Sequence, residues 1–237
     1  KWISDNTNTV LTPDIHLDKE QVMSILNTVY LKDEWVDRFD VKDTKPDTFY
    51  LENAQQKQCD FMNMSYITHQ FVKGEGFTSS SLALKNAESM TFILPDKGVS
   101  VDDLLATPEK VASLFNTQNS VNGKVIFQIP KFSFGSNLDL TDTLKSLGVI
   151  SAFSHDADFT GITDNKAFIS NIKQQTHIAI DEKGVEAAAF TQIDYAGSSP
   201  PKDKIAEMIL NRPFIYGITS NNGALLFIGV CTNPTAQ

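Results

Sequence analysis

The sequence predicts an α+β fold, dominated by antiparallel strands and with few helices. Three observations carry that prediction. Residues in "GKVIFQIPKFSF" alternate, with Val125, Phe127 and Ile129 opposed to Lys124, Ile126 and Gln128. That period of two marks a strand with one buried face. Asn221-Asn222-Gly223 stands between the apolar runs "RPFIYGI" and "ALLFIGVC", as expected of a hairpin. Helical patterns are short and never recur between strands, which weighs against a doubly wound parallel sheet.

In chain order, "VMSILNTVYL" at 22–31 is a nearly continuous apolar run, suited to a strand buried on both faces. Asn27 in its middle then needs a partner, because an unpaired buried amide costs about 1–3 kcal/mol. Turns are expected around Asp33 and Lys45-Pro46. Several short antiparallel strands follow between Phe61 and Pro95. Thr107-Pro108-Glu109 opens a helix, since proline suits the first helical position. "DLTDTLKSLGV" is a short amphipathic helix with Gly148 as its capping glycine. "IKQQTHIAIDEKG" is a strand. No internal repeat, low-complexity tract or linker divides the chain, so 1–237 reads as one domain or part of one.

The 237 residues carry a net charge of −9, with 41% hydrophobic and 21% charged residues. This composition builds a real core. The negative charge argues against nucleic acid and anionic membrane surfaces as partners. Two cysteines, Cys59 and Cys231, allow one long-range disulfide or two buried thiols. No Cys/His spacing suggests zinc, and no glycine loop or Gly-x-Ser-x-Gly elbow suggests phosphate binding or hydrolysis. His155-Asp156-Ala157-Asp158 has metal-ligating residue types, but aspartates of this spacing more commonly form turns. Ser198 and Ser199 have no histidine nearby in sequence to act as base. No catalytic residue, cofactor or metal is therefore assigned.

The informative stretch is "IDEKGVEAAAFTQIDYAGSSPP", residues 180–201. Val185, Ala187, Ala189, Thr191, Ile193 and Tyr195 form one alternating set of apolar, small or hydroxyl-bearing residues. Glu186, Gln192 and Asp194 lie in the other, with Phe190. A flexible bend and a stiff Pro-Pro pair come next. Such a composition suits two states, an exposed loop and an inserted strand.

"DEKGVEAAAFT" resembles the hinge of the serpin family, the serine protease inhibitors. The hinge pattern falls on Glu182, Gly184, Val185, Glu186, Ala187, Ala188 and Ala189. "LNTVYLKDEW" resembles that family's Asn-Ala-x-Tyr-Phe-Lys-Gly-x-Trp segment through Asn27, Tyr30, Lys32 and Trp35. "IPKFSF", "RPFIYGI" and "LFIGVCTNP" resemble further family strands, in family order. The resemblance implies the serpin fold: three mostly antiparallel sheets, surrounding helices and an exposed reactive-centre loop, here at about 182–205. It also implies that 1–237 is the C-terminal portion of a serpin domain lacking its N-terminal helical part. "KWISDNTN" then resembles the end of a helix that crosses the large sheet.

The resemblance implies an inhibitor that acts as a suicide substrate. The target serine protease attacks the bait bond and forms a covalent acyl-enzyme. The loop then inserts into the central sheet as an extra strand, which is β-augmentation in cis. Roughly a dozen newly paired backbone groups, at about 0.5–1.5 kcal/mol each, supply on the order of 10 kcal/mol. Counting from Glu182 puts the bait at Ser198–Ser199, with Tyr195, Ala196 and Gly197 as alternatives. None of these is basic, which points to elastase-like or subtilisin-like targets. The alternative is a non-inhibitory serpin: a carrier, a chaperone or a plain protease substrate. In the sheet gate, made of Asn27, Gln174 and Trp35, Gln174 stands where the family usually has histidine. Either Asn27 bonds Gln174 instead, or the gate is tuned differently. The family also implies an extracellular setting, and as partners a target protease and the missing N-terminal part.

Overall fold

The fold was described from a computed structural model, over residues 23–29, 33–86, 89–185 and 204–236. Its internal contacts divide it into two units, 1–31 with 134–178 and 32–133 with 179–237.

In the first unit, β1 (Met23–Val29) runs parallel to β9 (Ile169–Asp181), with Asn27 opposite Gln174. β8 (Phe132–Asp139) also pairs with β9. The expectation that β1 is buried on both faces is not met, since Ile25 is 41% exposed and Asn27 is exposed. Among the described residues β9 alone pairs with β1, so the run is apolar without being covered. The expected helix is α3 (Thr141–Ser146). It ends as anticipated, with Gly148 at φ +96° and its amide bonded back to Lys145. Asp158 takes the turn-forming role: its Oδ1 accepts from the amide and hydroxyl of Thr160. Those two bonds also hold its carboxyl below the usual carboxylate range.

The second unit is built on one large sheet. Its backbone is β4 (Gln56–Gly74), which pairs antiparallel with β3 (Lys45–Tyr50), β5 (Phe77–Ala83) and β7 (Val121–Pro130). β5 pairs β6 (Ser89–Pro95), which pairs β12 (Phe214–Thr219), which pairs β13 (Leu225–Cys231). β11 (Ile205–Ile209) lies parallel to β7. The hairpin predicted around Gly223, at φ +80°, is β12–β13.

Two expectations change here. The several short strands after Phe61 begin with one nineteen-residue strand, β4, which carries an irregularity between Tyr66 and His69. Such a bulge bends a strand without ending it. Lys45-Pro46 lies within β3 rather than in a turn. β3 pairs with β4 alone, and proline, lacking an N–H, is tolerated on such an edge.

The alternation in β7 holds, with Val125, Phe127 and Ile129 fully buried. Phe77, Ile93 and Ile215 meet Val101, Leu104 and Leu114 from α1 (Val101–Leu105) and α2 (Pro108–Leu114). α2 starts at Thr107-Pro108 as expected. α1 was not anticipated. Its signal is a capping box: Ser100 Oγ accepts from the Asp103 amide, and the Asp103 carboxylate accepts from the Ser100 amide.

Candidate functional site

The end of β9 in the second unit is where the sequence places the hinge. The amides of Lys183 and Gly184 both donate to Asp181 Oδ1, at 2.7 and 3.2 Å. An aspartate binding its own downstream backbone makes a tight turn. The chain therefore folds back, and β10 (Gly184–Val185) runs antiparallel to the end of β9, Val185 opposite Ile180. The other edge of β10 pairs antiparallel with β2 (Asp33–Glu34), Val185 opposite Asp33. Gly184 and Val185, from the expected hinge, thus lie in a slot with a strand on each side. Val185 is 1% exposed there.

The slot is narrow. A Cβ on Gly184 would lie 2.4 Å from the Asp33 carbonyl oxygen and 2.6 Å from Glu34 Cα. Its φ of +150° is also a backbone region that side-chain-bearing residues rarely adopt.

Five contacts fix the turn before the slot. The amides of Phe39 and Trp35 donate to the carbonyls of Glu182 and Lys183, each at 3.0 Å. Trp35, fully buried, donates from Nε1 to the Asp181 carbonyl at 3.0 Å. The Glu182 carboxylate, itself buried, accepts from Thr44 Oγ1 at 2.9 Å and pairs with Lys131 Nζ at 3.0 Å. β2 is held in turn. Asp33 Oδ1 accepts from Asn86 Nδ2 at 3.0 Å, and the Glu34 carboxylate accepts from Arg38 at 2.5 Å and from Lys85.

Burial alone would raise the Glu182 carboxyl. Its own backbone amide, Lys131 and Thr44 together outweigh burial and hold it below the ordinary glutamate value of 4.5. A carboxyl depressed on folding contributes stability above the unfolded value and loses it as pH falls through the folded one. We expect Glu182→Gln to lower stability at pH 7 by about 1–3 kcal/mol. The gap to the wild type should close as pH falls below about 4, read by urea unfolding at several pH values. A gap that does not change with pH would show that the carboxylate charge is not what anchors the turn.

Asn27 and Gln174 are aligned by the β1–β9 register, but their side chains make no hydrogen bond to each other. Gln175 Oε1 is buried and has no partner among the described residues. Glu186, Ala187, Ala188, Ala189, Tyr195, Ala196, Gly197, Ser198 and Ser199 lie outside the described residues. Thr44 and Lys131 are site residues that sequence reasoning missed. They lie 138 and 51 positions from Glu182, and no local pattern links them.

The two cysteines are unpaired thiols. Burial pushes Cys59 up to about 11 and raises Cys231 as well, so neither is a ready thiolate at neutral pH. Among the described residues no three His, Cys, Asp or Glu side chains gather as a metal site. No helix there is long and apolar enough to cross a membrane.

The chain matches the family described as "Serpin (serine protease inhibitor)" over residues 1–234. It is 28% identical to Serpin B3 of Homo sapiens over 98% of this chain and 62% of that protein. It is 30% identical to a "Serine protease inhibitor" of Cyanea capillata over 99% of this chain and 64% of that one. The chain thus spans just over three fifths of the length of these relatives. Among solved structures it superposes on the thermophilic serpin tengpin with a TM-score of 0.85 and 28% identity, covering 98% of this chain and 61% of that one. It superposes on a thyroxine-binding globulin complex with thyroxine at a TM-score of 0.83 and 26% identity, covering 99% of this chain and 63% of that one. With that family matched across residues 1–234, the chain belongs to the serpin family.

Proposed function

We propose that this chain is the C-terminal, loop-bearing portion of a single serpin domain that inhibits a serine protease as a suicide substrate. The observation that carries the reading is the position of Val185, buried and strand-paired on both sides. On this reading, the pairing of Val185 on both sides is the first step of loop insertion. The next residues in the chain, Glu186, the three alanines and Phe190, continue the alternation with small inward residues. The protease supplies the nucleophile. The serpin supplies the bait at Ser198–Ser199, or at a bond among Tyr195, Ala196 and Gly197, and the slot that draws the cleaved loop in. Uncharged small residues at the bait favour elastase-like or subtilisin-like targets, acting in an extracellular setting.

The experiment is incubation of the full-length protein, N-terminal part included, with pancreatic elastase, followed by denaturing electrophoresis and mass spectrometry of the released C-terminal peptide. An inhibitor gives a covalent complex of summed mass, and the peptide identifies the bond. Cleavage without complex would overturn the inhibitory reading. It would favour a second one, a non-inhibitory carrier, to which the likeness to thyroxine-binding globulin lends support.

A further inference from the structure

A second feature lies in the large sheet, away from the hinge residues. The C-terminal half of β4, with β5, β6 and the end of α2, encloses a cavity of about 360 Å³. That size falls within the range of small-molecule sites, about 300–1,000 Å³. Thirteen residues line it, and none is Asp, Glu, Lys or Arg. One side is apolar, from Phe71, Leu114 and Phe115. The other is a field of hydroxyls and amides, Ser79 and Thr91 among them.

Two of its polar groups have bonding capacity to spare. Ser79 lines the cavity at 4% exposure; its hydroxyl bonds to no other described residue and keeps some accessible surface. Such a hydroxyl is open to a hydrogen bond from or to a ligand. His69 Nε2 lies 2.8 Å from the Ser81 carbonyl oxygen. A carbonyl can only accept, so Nε2 carries the proton and Nδ1 is left as an acceptor. Burial is the main influence on His69 and keeps its imidazole neutral, the Ser81 carbonyl and Asp37 opposing this only in part. By contrast, Ser81 and Thr91 satisfy each other at 2.8 Å.

We propose that this cavity binds a neutral, ring-bearing molecule with hydroxyl groups, its ring against Phe71 and Phe115 and its hydroxyls toward Ser79 and His69. A charged ligand would be desolvated with no countercharge on the lining. A purely apolar one would leave the Ser79 hydroxyl unpaired. A hydroxyl on the ligand accepts from Ser79 and donates to the imidazole, and a flat ring covers the apolar side.

The site does not rest on the inhibitory reading, and no protease enters its test. Phenyl β-D-glucoside and phenyl β-D-glucuronide share a ring and differ in one carboxylate. Titration of each into the purified protein, followed by ligand-observed NMR and by the His69 ring resonances, should give saturable binding of the glucoside. The glucuronide should bind at least about tenfold more weakly. Ser79→Ala should weaken the glucoside several-fold without lowering the unfolding midpoint, and Ser79→Leu should abolish binding by filling the space. Any of three results would overturn the proposal: no saturable glucoside binding, equal binding of the glucuronide, or glucoside binding that Ser79→Ala leaves unchanged.

Discussion

A Val185→Arg variant is expected to be cut by pancreatic elastase as readily as the wild type, yet to leave no complex that survives denaturant. The proposed bait lies well downstream of residue 185 in the sequence, so cleavage itself should be untouched. Insertion should not be. Residue 185 sits in the slot between β9 and β2, 1% exposed, and the acid opposite it, Asp33, is already hydrogen-bonded to Asn86 and to the Glu34 amide. Burying an unpaired charge costs several kcal/mol even after relaxation. A barrier raised by about 3 kcal/mol slows insertion roughly 100-fold. On the proposed mechanism the acyl-enzyme would then hydrolyse before the loop moves, turning an inhibitor into a substrate. Val185→Thr serves as control, being of similar size and able to pair as strand. Undiminished covalent complex with Val185→Arg would show that residue 185 does not pass through the sheet.

Gly184→Ala is expected to expel β10 from the slot. Its new methyl would meet backbone on three counts, the Asp33 oxygen at 2.4 Å, Glu34 Cα at 2.6 Å and Trp35 N at 2.9 Å. None of these is the free end of a side chain that swings aside. The φ of +150° adds strain of order 1–3 kcal/mol. With the lost pairing to β2, stability should fall by about 2–4 kcal/mol, or roughly 5–15 °C in Tm for a chain of this size. Trypsin cleavage after Lys183, whose carbonyl is now held by the Trp35 amide, should become faster. An unaltered Tm together with an unaltered cleavage rate would contradict the packing described.

Much of this was readable from residues in local order. Val125, Phe127 and Ile129 announced their burial by parity alone, and Gly148 and Thr107-Pro108 announced helix ends. These are effects of neighbours within a turn or a strand. The family to which the hinge motif pointed was also legible. The motif's anchorage was not, because Glu182 meets Thr44 and Lys131 only through the fold. Asn27 was expected to be buried because its neighbours are apolar, but burial depends on what lies over a face, which a run of residues does not encode. β4 looked like several strands because a bulge interrupts its alternation while leaving its hydrogen bonding in place on either side.

β10 is only two residues long, yet it sets the phase of the proposed insertion. Val185 points into the interior, so the inward positions in the proposed insertion are 185, 187, 189 and 191, while Glu186 and Phe190 fall outward. Deleting one residue between 186 and 189 would exchange the two faces, sending Phe190 inward and a small residue out. Deleting two would keep the parity and merely shorten the reach. The loop therefore reads like a message in a two-letter frame, and length changes should be tolerated in even numbers and rejected in odd ones.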